Sequence, residues 1–338
     1  MRVDGVVQGV GFRPSVYVLA DELGLAGFVL NDARGVLIEI EGAATVVERF
    51  VEELPQRAPP LARIDGVTLT ELEPGADPVA AISGNGATTE ELIVAAPLAR
   101  FEIRASPAGE RADALVAPDT ATCEDCLREL LDPADRRYRY PFVNCTNCGP
   151  RFTIVQGVPY DRSRTTMAHF SMCAACQAEY DDPYDRRFHA QPNACPECGP
   201  RAELILLPEA PSADWRPPFG RSSALSTQAG DVLGEEQRSA PGDALAGAAE
   251  LLRAGAIVAV KGIGGYHLAC RADDERAVDR LRARKHREHK PFAVLVADLD
   301  AARALVELSP AEDELLASPA HPIVLAARRP GAAGSLAT

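Results

Sequence analysis

No apolar run in this chain approaches the roughly 20 residues needed to cross a bilayer, so no membrane-spanning helix is expected. The N-terminus also lacks a charged stretch followed by a short apolar one, the pattern of an export signal, which points to the cytoplasm. Positive charge is in deficit. Thirty-five Lys and Arg face 49 Asp and Glu, a formal net charge of −14 that opposes non-specific nucleic-acid binding by the chain as a whole. A length of 338 residues allows two or three domains.

Cysteine, by contrast, is patterned. Eight of the nine form four C-x-x-C knuckles, and Cys123, Cys126, Cys145 and Cys148 recur 50 residues later as Cys173, Cys176, Cys195 and Cys198. The copy extends to Asp132-Pro133 and Asp182-Pro183, to Asp135-Arg136-Arg137 and Asp185-Arg186-Arg187, and to Gly149-Pro150-Arg151 and Gly199-Pro200-Arg201. A knuckle sets two thiolates on one tight turn, and two knuckles complete the tetrahedron that zinc prefers. In a reducing compartment this reading wins over a disulfide framework. Two closed sets of four thiolates leave no open position for a catalytic water, so two structural zinc ions are expected. The duplication suggests that each repeat closes its own site, although a crossed pairing of inner and outer knuckles is equally allowed geometrically. His169 and His189 are alternative ligands. Tyr138, Tyr140, Phe142, Phe152 and Phe188 are the expected small core around the metals. Cys270 is the unpaired thiol, expected as a small buried apolar group.

The periodicity predicts a compact α+β unit at the N-terminus. Strand-like Arg2–Val7 leads through a Gly-rich loop to a helix opened by Pro14 and closed by Gly24. Phe28–Asn31 and Val36–Glu41 read as a hairpin, with Val36, Ile38 and Ile40 alternating against Leu37, Glu39 and Glu41. A helix over about Thr45–Leu54 and a strand over Ile64–Leu72 complete βαββαβ, the ferredoxin-like order. Residues 75–100 read as an insertion before an edge strand at Phe101–Arg104. The expected domains are 1–105, a finger region at 116–203, a Pro/Ser/Gly-rich linker at 204–243, and an α/β unit from 244 to 338. In the last, a helix at Ala244–Arg253 precedes a buried strand at Ile257–Val260, a turn at Gly262–Gly265, a basic helix near Glu275–Lys290 and a strand at Phe292–Val296. This third unit reads as unfinished at Thr338, and the first strand as short at Met1. Were that unit unfolded, its Val/Ile strands would be an aggregation hazard.

Two further segments carry chemistry. In Gln8-Gly9-Val10-Gly11-Phe12-Arg13 the glycines allow backbone N–H groups to converge as an anion nest before a helix, and Arg13 can fork two hydrogen bonds onto a phosphoryl group. By spacing alone, a tight turn with a surface arginine is the favoured reading. In the last third, Lys261 to Cys270 follows an apolar strand and Arg284 to Phe292 ends a basic helix. Glycines with Lys and Arg suit nucleotide phosphates, while a plain turn plus a positive helix end is the alternative.

The string GVVQGVGFRP, with the hairpin ending at Asn31, resembles the acylphosphatase family. The resemblance implies that the loop amides and Arg13 bind the phosphate of an acyl phosphate, and that Asn31 orients the attacking water. The last third resembles the YrdC-like domains, which implies binding of ATP and a small carboxylate to form an acyl-adenylate. Lys285, Arg287 and Pro291 match their K-x-R…P motif, with Lys261 and Tyr266 at the earlier one. Arg271 stands where an acidic residue is more usual, and the later Ser/Asn motif is not present before Thr338.

With the paired fingers between them, and P-F-V-N-C-T-N-C-G-P-R-F-T-I and F-H-A-Q-P-N-A-C around the knuckles, the chain resembles the HypF family as a whole. That resemblance implies a multidomain enzyme of hydrogenase maturation. Carbamoyl phosphate is cleaved at the N-terminal site, carbamoyl-adenylate is made with ATP, and the carbamoyl group passes to the terminal cysteine of a HypE-like acceptor. A chain of this length is expected to perform the first half-reaction at most. Two rivals remain: a plain acylphosphatase with the fingers as scaffold, and a weak RNA-binding finger/YrdC module drawing on the basic residues 282–290, which would lose affinity steeply with salt.

Overall fold

The N-terminal periods become β1 (Arg2–Val6), α1 (Phe12–Glu22), β2 (Ala26–Asn31), β3 (Val36–Glu41), α2 (Ala44–Gln56), β4 (Arg63–Thr68) and β5 (Phe101–Ile103) in the computed structural model. The structure describes residues 1–72, 100–106, 114–206, 244–262, 265–287, 289–330, 332 and 336–337. The expected insertion, apart from residue 100, and the expected linker beyond residue 206 lie outside them.

The five strands form one sheet in the order β4-β1-β3-β2-β5, antiparallel throughout except for β5, which runs parallel to β2 at the edge. This is the ferredoxin-like arrangement, with β5 as the added strand. Alternation in β3 does what it promised. Val36 and Ile38 join Val3, Val29, Phe12, Val16, Leu19, Phe50 and Leu54 in a core between the sheet and the two helices, while Leu37 turns to the other face beside Phe28 and Leu30. There the Arg104 guanidinium lies 4.0 Å above the Phe28 ring and shields that smaller cluster. In α1 the buried residues Phe12, Val16, Leu19 and Ala20 recur at helical spacing, and Gly24 ends the helix with φ +64°.

The finger repeats copy each other in backbone as well as sequence. Cys123 and Cys173 cap α3 (Glu124–Leu131) and α4 (Ala174–Asp181), which places Cys126 and Cys176 on the first helical turns. After each helix an aspartate accepts from the backbone two residues on, Asp135 from Arg137 N–H and Asp185 from Arg187 N–H, both at 2.7 Å. The chain then turns through a left-handed residue, Arg139 in one repeat and His189 in the other. Two 3₁₀ turns, Arg162–Arg164 and Thr166–His169, connect the repeats. The aromatic core expected here is corrected. Tyr140 and Phe188 are buried, but Tyr138, Phe142 and Phe152 are exposed, and the interior is made by the cysteines with Val143, Ile154, Met167 and Ala194. So small a metal-centred interior has room for few rings.

Met1–Pro200 with Ala317–Pro322 is one unit, and Arg201–Leu316 with Ile323–Thr338 a second. In the second, α5 (Ala244–Arg253) precedes a hairpin of β6 (Val258–Gly262) and β7 (Gly265–Ala269), which pair antiparallel with Lys261 opposite Tyr266. The basic helix α6 (Glu275–Lys285) is shorter than expected, because His286 adopts a left-handed conformation and Arg287 N–H closes the end onto the Arg282 carbonyl at 3.1 Å. Next come α7 (Leu299–Leu305), α8 (Pro310–Ala317) and a short pair, β8 (Val306–Glu307) with β9 (Ala327–Arg328). Phe292–Val296 forms no strand. An apolar run becomes a strand only beside a ladder partner; β6 pairs with β7, and Leu295 is 98% exposed.

Candidate active site and metal clusters

Gly9 and Gly11 have φ of +76° and +78°, so the loop between β1 and α1 takes a left-handed path that disfavours any side chain. A Cβ on Gly11 would stand 3.1 Å from Thr146, which also fixes how closely the finger region approaches. Arg13, in the first turn of α1, and Asn31, the last residue of β2, are both buried and line one pocket with Gly9, Gly11 and Phe12. The Asn31 amide oxygen faces Arg13 and accepts from its Nε at 3.1 Å and its Nη2 at 3.2 Å. The reverse orientation would set donor against donor, for only a 3.4 Å bond to the Tyr160 carbonyl. Gln8 points away from the pocket. Its amide donates to the carbonyls of Asp32 and Gly35, both at 2.8 Å, and its Oε1 accepts from Tyr160 N–H at 2.8 Å. Gln8 therefore ties the loop to the β2–β3 hairpin and to the finger region at once. Val10 is fully buried in the core and anchors the loop from beneath.

The pocket's opposite wall comes from more than 130 residues downstream: Thr146, Arg151, Tyr160, His189 and Gln191. Arg13 Nη2 donates to the Tyr160 carbonyl at 3.1 Å and pairs with the Asp161 carboxylate at 2.7 Å. Arg151 is almost wholly buried. Its guanidinium donates to the Gly9 carbonyl of the loop and to the Cys145 and Thr146 carbonyls of a knuckle, the latter two at 2.6 and 3.0 Å. Its repeat counterpart Arg201 is exposed, so the loop contact breaks the symmetry of the two repeats. In the sequence Gly149-Pro150-Arg151 stands out only as part of the repeat, and no motif there marks Tyr160 or Asp161.

The eight cysteines gather as two clusters, each within a single repeat: Cys123, Cys126, Cys145 and Cys148, and Cys173, Cys176, Cys195 and Cys198. Neither His169 nor His189 belongs to them. The S···S distances of 3.6–3.8 Å match the edge of a tetrahedron built on metal–sulfur bonds of about 2.3 Å, far from the ~2.05 Å of a disulfide. Each cluster is completed electrostatically by the other repeat. Arg136 donates to Cys176 Sγ at 3.3 Å and Arg186 to Cys126 Sγ at 3.0 Å. Behind them, buried Arg137 pairs bidentately with Glu179, and buried Arg187 with Glu129. Burial pushes the Glu179 carboxyl up, but hydrogen bonds from Arg137 and Arg136 outweigh it and hold the group down at about 2.

In the second unit, Lys261 Nζ lies 4.9 Å from the Tyr266 ring centroid. Lys285 is the last residue of α6 and Arg287 follows its cap, donating to the Pro291 carbonyl at 3.0 Å with its guanidinium 5.5 Å from the Phe292 ring. Burial, with the Asp274 carboxylate, pushes the Cys270 thiol up, so it is not an activated nucleophile. No helix among the described residues is long and apolar enough to cross a membrane.

Residues 1–78 match the acylphosphatase family, residues 122–155 and 172–205 the HypF finger, and residues 250–337 the Sua5/YciO/YrdC family, described as telomere recombination. Over 331 residues the chain is 46% identical to the carbamoyltransferase HypF of Rhizobium leguminosarum bv. viciae, a match covering 98% of this chain and 35% of that protein. Over 75 residues it is 40% identical to an acylphosphatase of Thermotoga petrophila, covering 22% of this chain and 82% of the relative. A crystal structure of full-length HypF in its phosphate- and nucleotide-bound form superposes with a TM-score of 0.73 at 39% identity, covering 94% of this chain and 35% of that one. The chain thus spans about a third of the length of these HypF relatives. Carrying an acylphosphatase-like sheet, two HypF fingers and YrdC-like sequence in that order, it belongs to the HypF family.

Proposed function

We propose that the N-terminal site hydrolyses carbamoyl phosphate to carbamate and phosphate. The observation that carries this reading is the convergence of Arg13, Asn31 and the left-handed Gly9–Gly11 loop in one pocket. Arg13 and the loop N–H groups of Gly9 to Phe12 hold the phosphoryl oxygens at the N-terminus of α1. Asn31, positioned through its contact with Arg13, orients a water for attack on phosphorus. The bond from phosphorus to the acyl oxygen breaks, and carbamate leaves as a carboxylate whose low basicity needs no general acid. Positioning and charge stabilisation are sufficient for so activated a substrate. Residues 1–105 and the finger region 116–203 act together in this step.

The two four-cysteine clusters hold zinc in this reading, supported by the all-thiolate donor set and the tetrahedral spacing, and the metal fixes the fold. Thiolate clusters of this kind suit the reducing cytoplasm. Lys261, Tyr266, Lys285 and Arg287 are proposed for the nucleotide, with carbamoyl-adenylate formation and transfer to a HypE-like acceptor belonging to the full-length family. The test is phosphate release from carbamoyl phosphate by the intact chain and by Arg13→Ala. The variant should lose about 10²–10³-fold in turnover, the cost of removing one charge-stabilising donor. Equal turnover in both proteins would refute the assignment.

A further inference from the structure

The catalytic arginine of the proposed site carries an anion that comes from the chain itself. Arg13 Nη2 is paired with Asp161 Oδ1 at 2.7 Å, and the side chains are 9% and 23% exposed. A carboxylate oxygen on Nη2 occupies a position that a phosphoryl oxygen would use. The backbone on both sides of Asp161 is pinned. Tyr160 N–H donates to Gln8 Oε1 at 2.8 Å, Arg162 N–H to Gln191 Oε1 at 2.7 Å, and the Arg162 guanidinium to the carbonyls of Gln191, Asn193 and Phe170 at 2.6–2.9 Å. The Asp161 side chain can turn away from Arg13, but it cannot leave the rim.

When a phosphate dianion takes Arg13, the Asp161 carboxylate and the Tyr160 carbonyl, both within bonding distance of Nη2, remain as acceptors within reach of the bound substrate. A carbamoyl group brings two N–H donors to that place. An acetyl group brings a methyl, which leaves a partly desolvated carboxylate unpaired, and sites built around a hydrogen bond strongly reject analogues that lack it. Building on the proposed hydrolase reading, we infer that Asp161, with the Tyr160 carbonyl, is the specificity-determining element of the site and selects carbamoyl over other small acyl phosphates. A free-standing acylphosphatase domain has no such wall, because both acceptors come from the finger region.

The test measures kcat/KM for carbamoyl phosphate and for acetyl phosphate with the full chain, Asp161→Ala, Asp161→Asn and Arg13→Ala. The intact chain should favour carbamoyl phosphate. Asp161→Ala should shrink that preference at least about tenfold, mainly through faster acetyl phosphate hydrolysis, because the unpaired carboxylate is gone. Asp161→Asn, isosteric and retaining one acceptor, should fall between them and guards against a folding defect in the alanine variant. A preference within twofold of the intact chain in both variants would overturn the inference, as would an intact chain that shows no preference. If Arg13→Ala leaves phosphate release from both substrates untouched, the hydrolase reading fails and takes this inference with it. If Arg13→Ala abolishes release while the Asp161 variants keep the intact preference, only the inference fails.

Discussion

His189 lies against Tyr180 and Phe188, ring centroids 4.7 Å away in each case, and lines the same pocket as Arg13. Burial first, then the Arg13 charge, lower its pKa from 6.5 to about 4. The imidazole is therefore neutral at physiological pH and adds no positive charge to the pocket. Between pH 6.5 and 4 the unfolded chain binds a proton that the folded chain refuses. The contribution to stability, at most about 3 kcal/mol, is thus complete above pH 6.5 and lost as the pH falls to 4. Nitrogen-labelled histidine NMR should find the His189 midpoint near 4; a midpoint near 6.5 would contradict the burial argument. Arg13 could be picked out as a candidate because it shares an unbroken string with Gly9 and Gly11, and Asn31 because a hairpin that ends there follows the loop. Tyr160, Asp161 and His189 could not, since each is an ordinary residue about 130 or more positions away whose meaning arises only when the chain folds back.

Among the elements, the finger repeats are strapped reciprocally: each supplies the arginines that face the other's thiolates and glutamate. Arg137→Met should take from half-buried Glu179 its bidentate partner, leaving Arg136 as its remaining cation, and cost about 1–3 kcal/mol, whereas Arg137→Met with Glu179→Leu should regain part of that. Urea denaturation of the single and double variants checks it, and additive losses would argue against a coupled pair. The sequence displayed the duplicated Asp-Arg-Arg, yet nothing in a repeat tells a self-contained unit from one that reaches into its copy. Periodicity carried βαββαβ, since alternation and helical spacing are local. It failed at Phe292–Val296, where an apolar run needed a neighbour that the run itself does not specify, and at the finger aromatics, where metal ligation stands in for a hydrophobic core.

At the scale of the whole molecule, the chain corresponds to about a third of its HypF relatives, and within it the first four-cysteine cluster and the Gly9–Gly11 loop are structurally continuous. Arg151 holds the Gly9 carbonyl through Nε and the Cys145 and Thr146 carbonyls through Nη2, so loss of metal from the first cluster should loosen the loop. Stripping metal with a strong chelator should cut phosphate release at least about tenfold, with recovery on adding zinc back. Full activity in the stripped protein would show that the knuckle is dispensable to the loop. Gln8 has a consequence for modular exchange. One side chain fastens the loop to its own hairpin through its amide N–H groups and to the finger segment through its oxygen. A free-standing acylphosphatase spliced in place of the first 72 residues would need a glutamine at that position, or the Tyr160 amide would be left without its partner and the transplanted site without its wall.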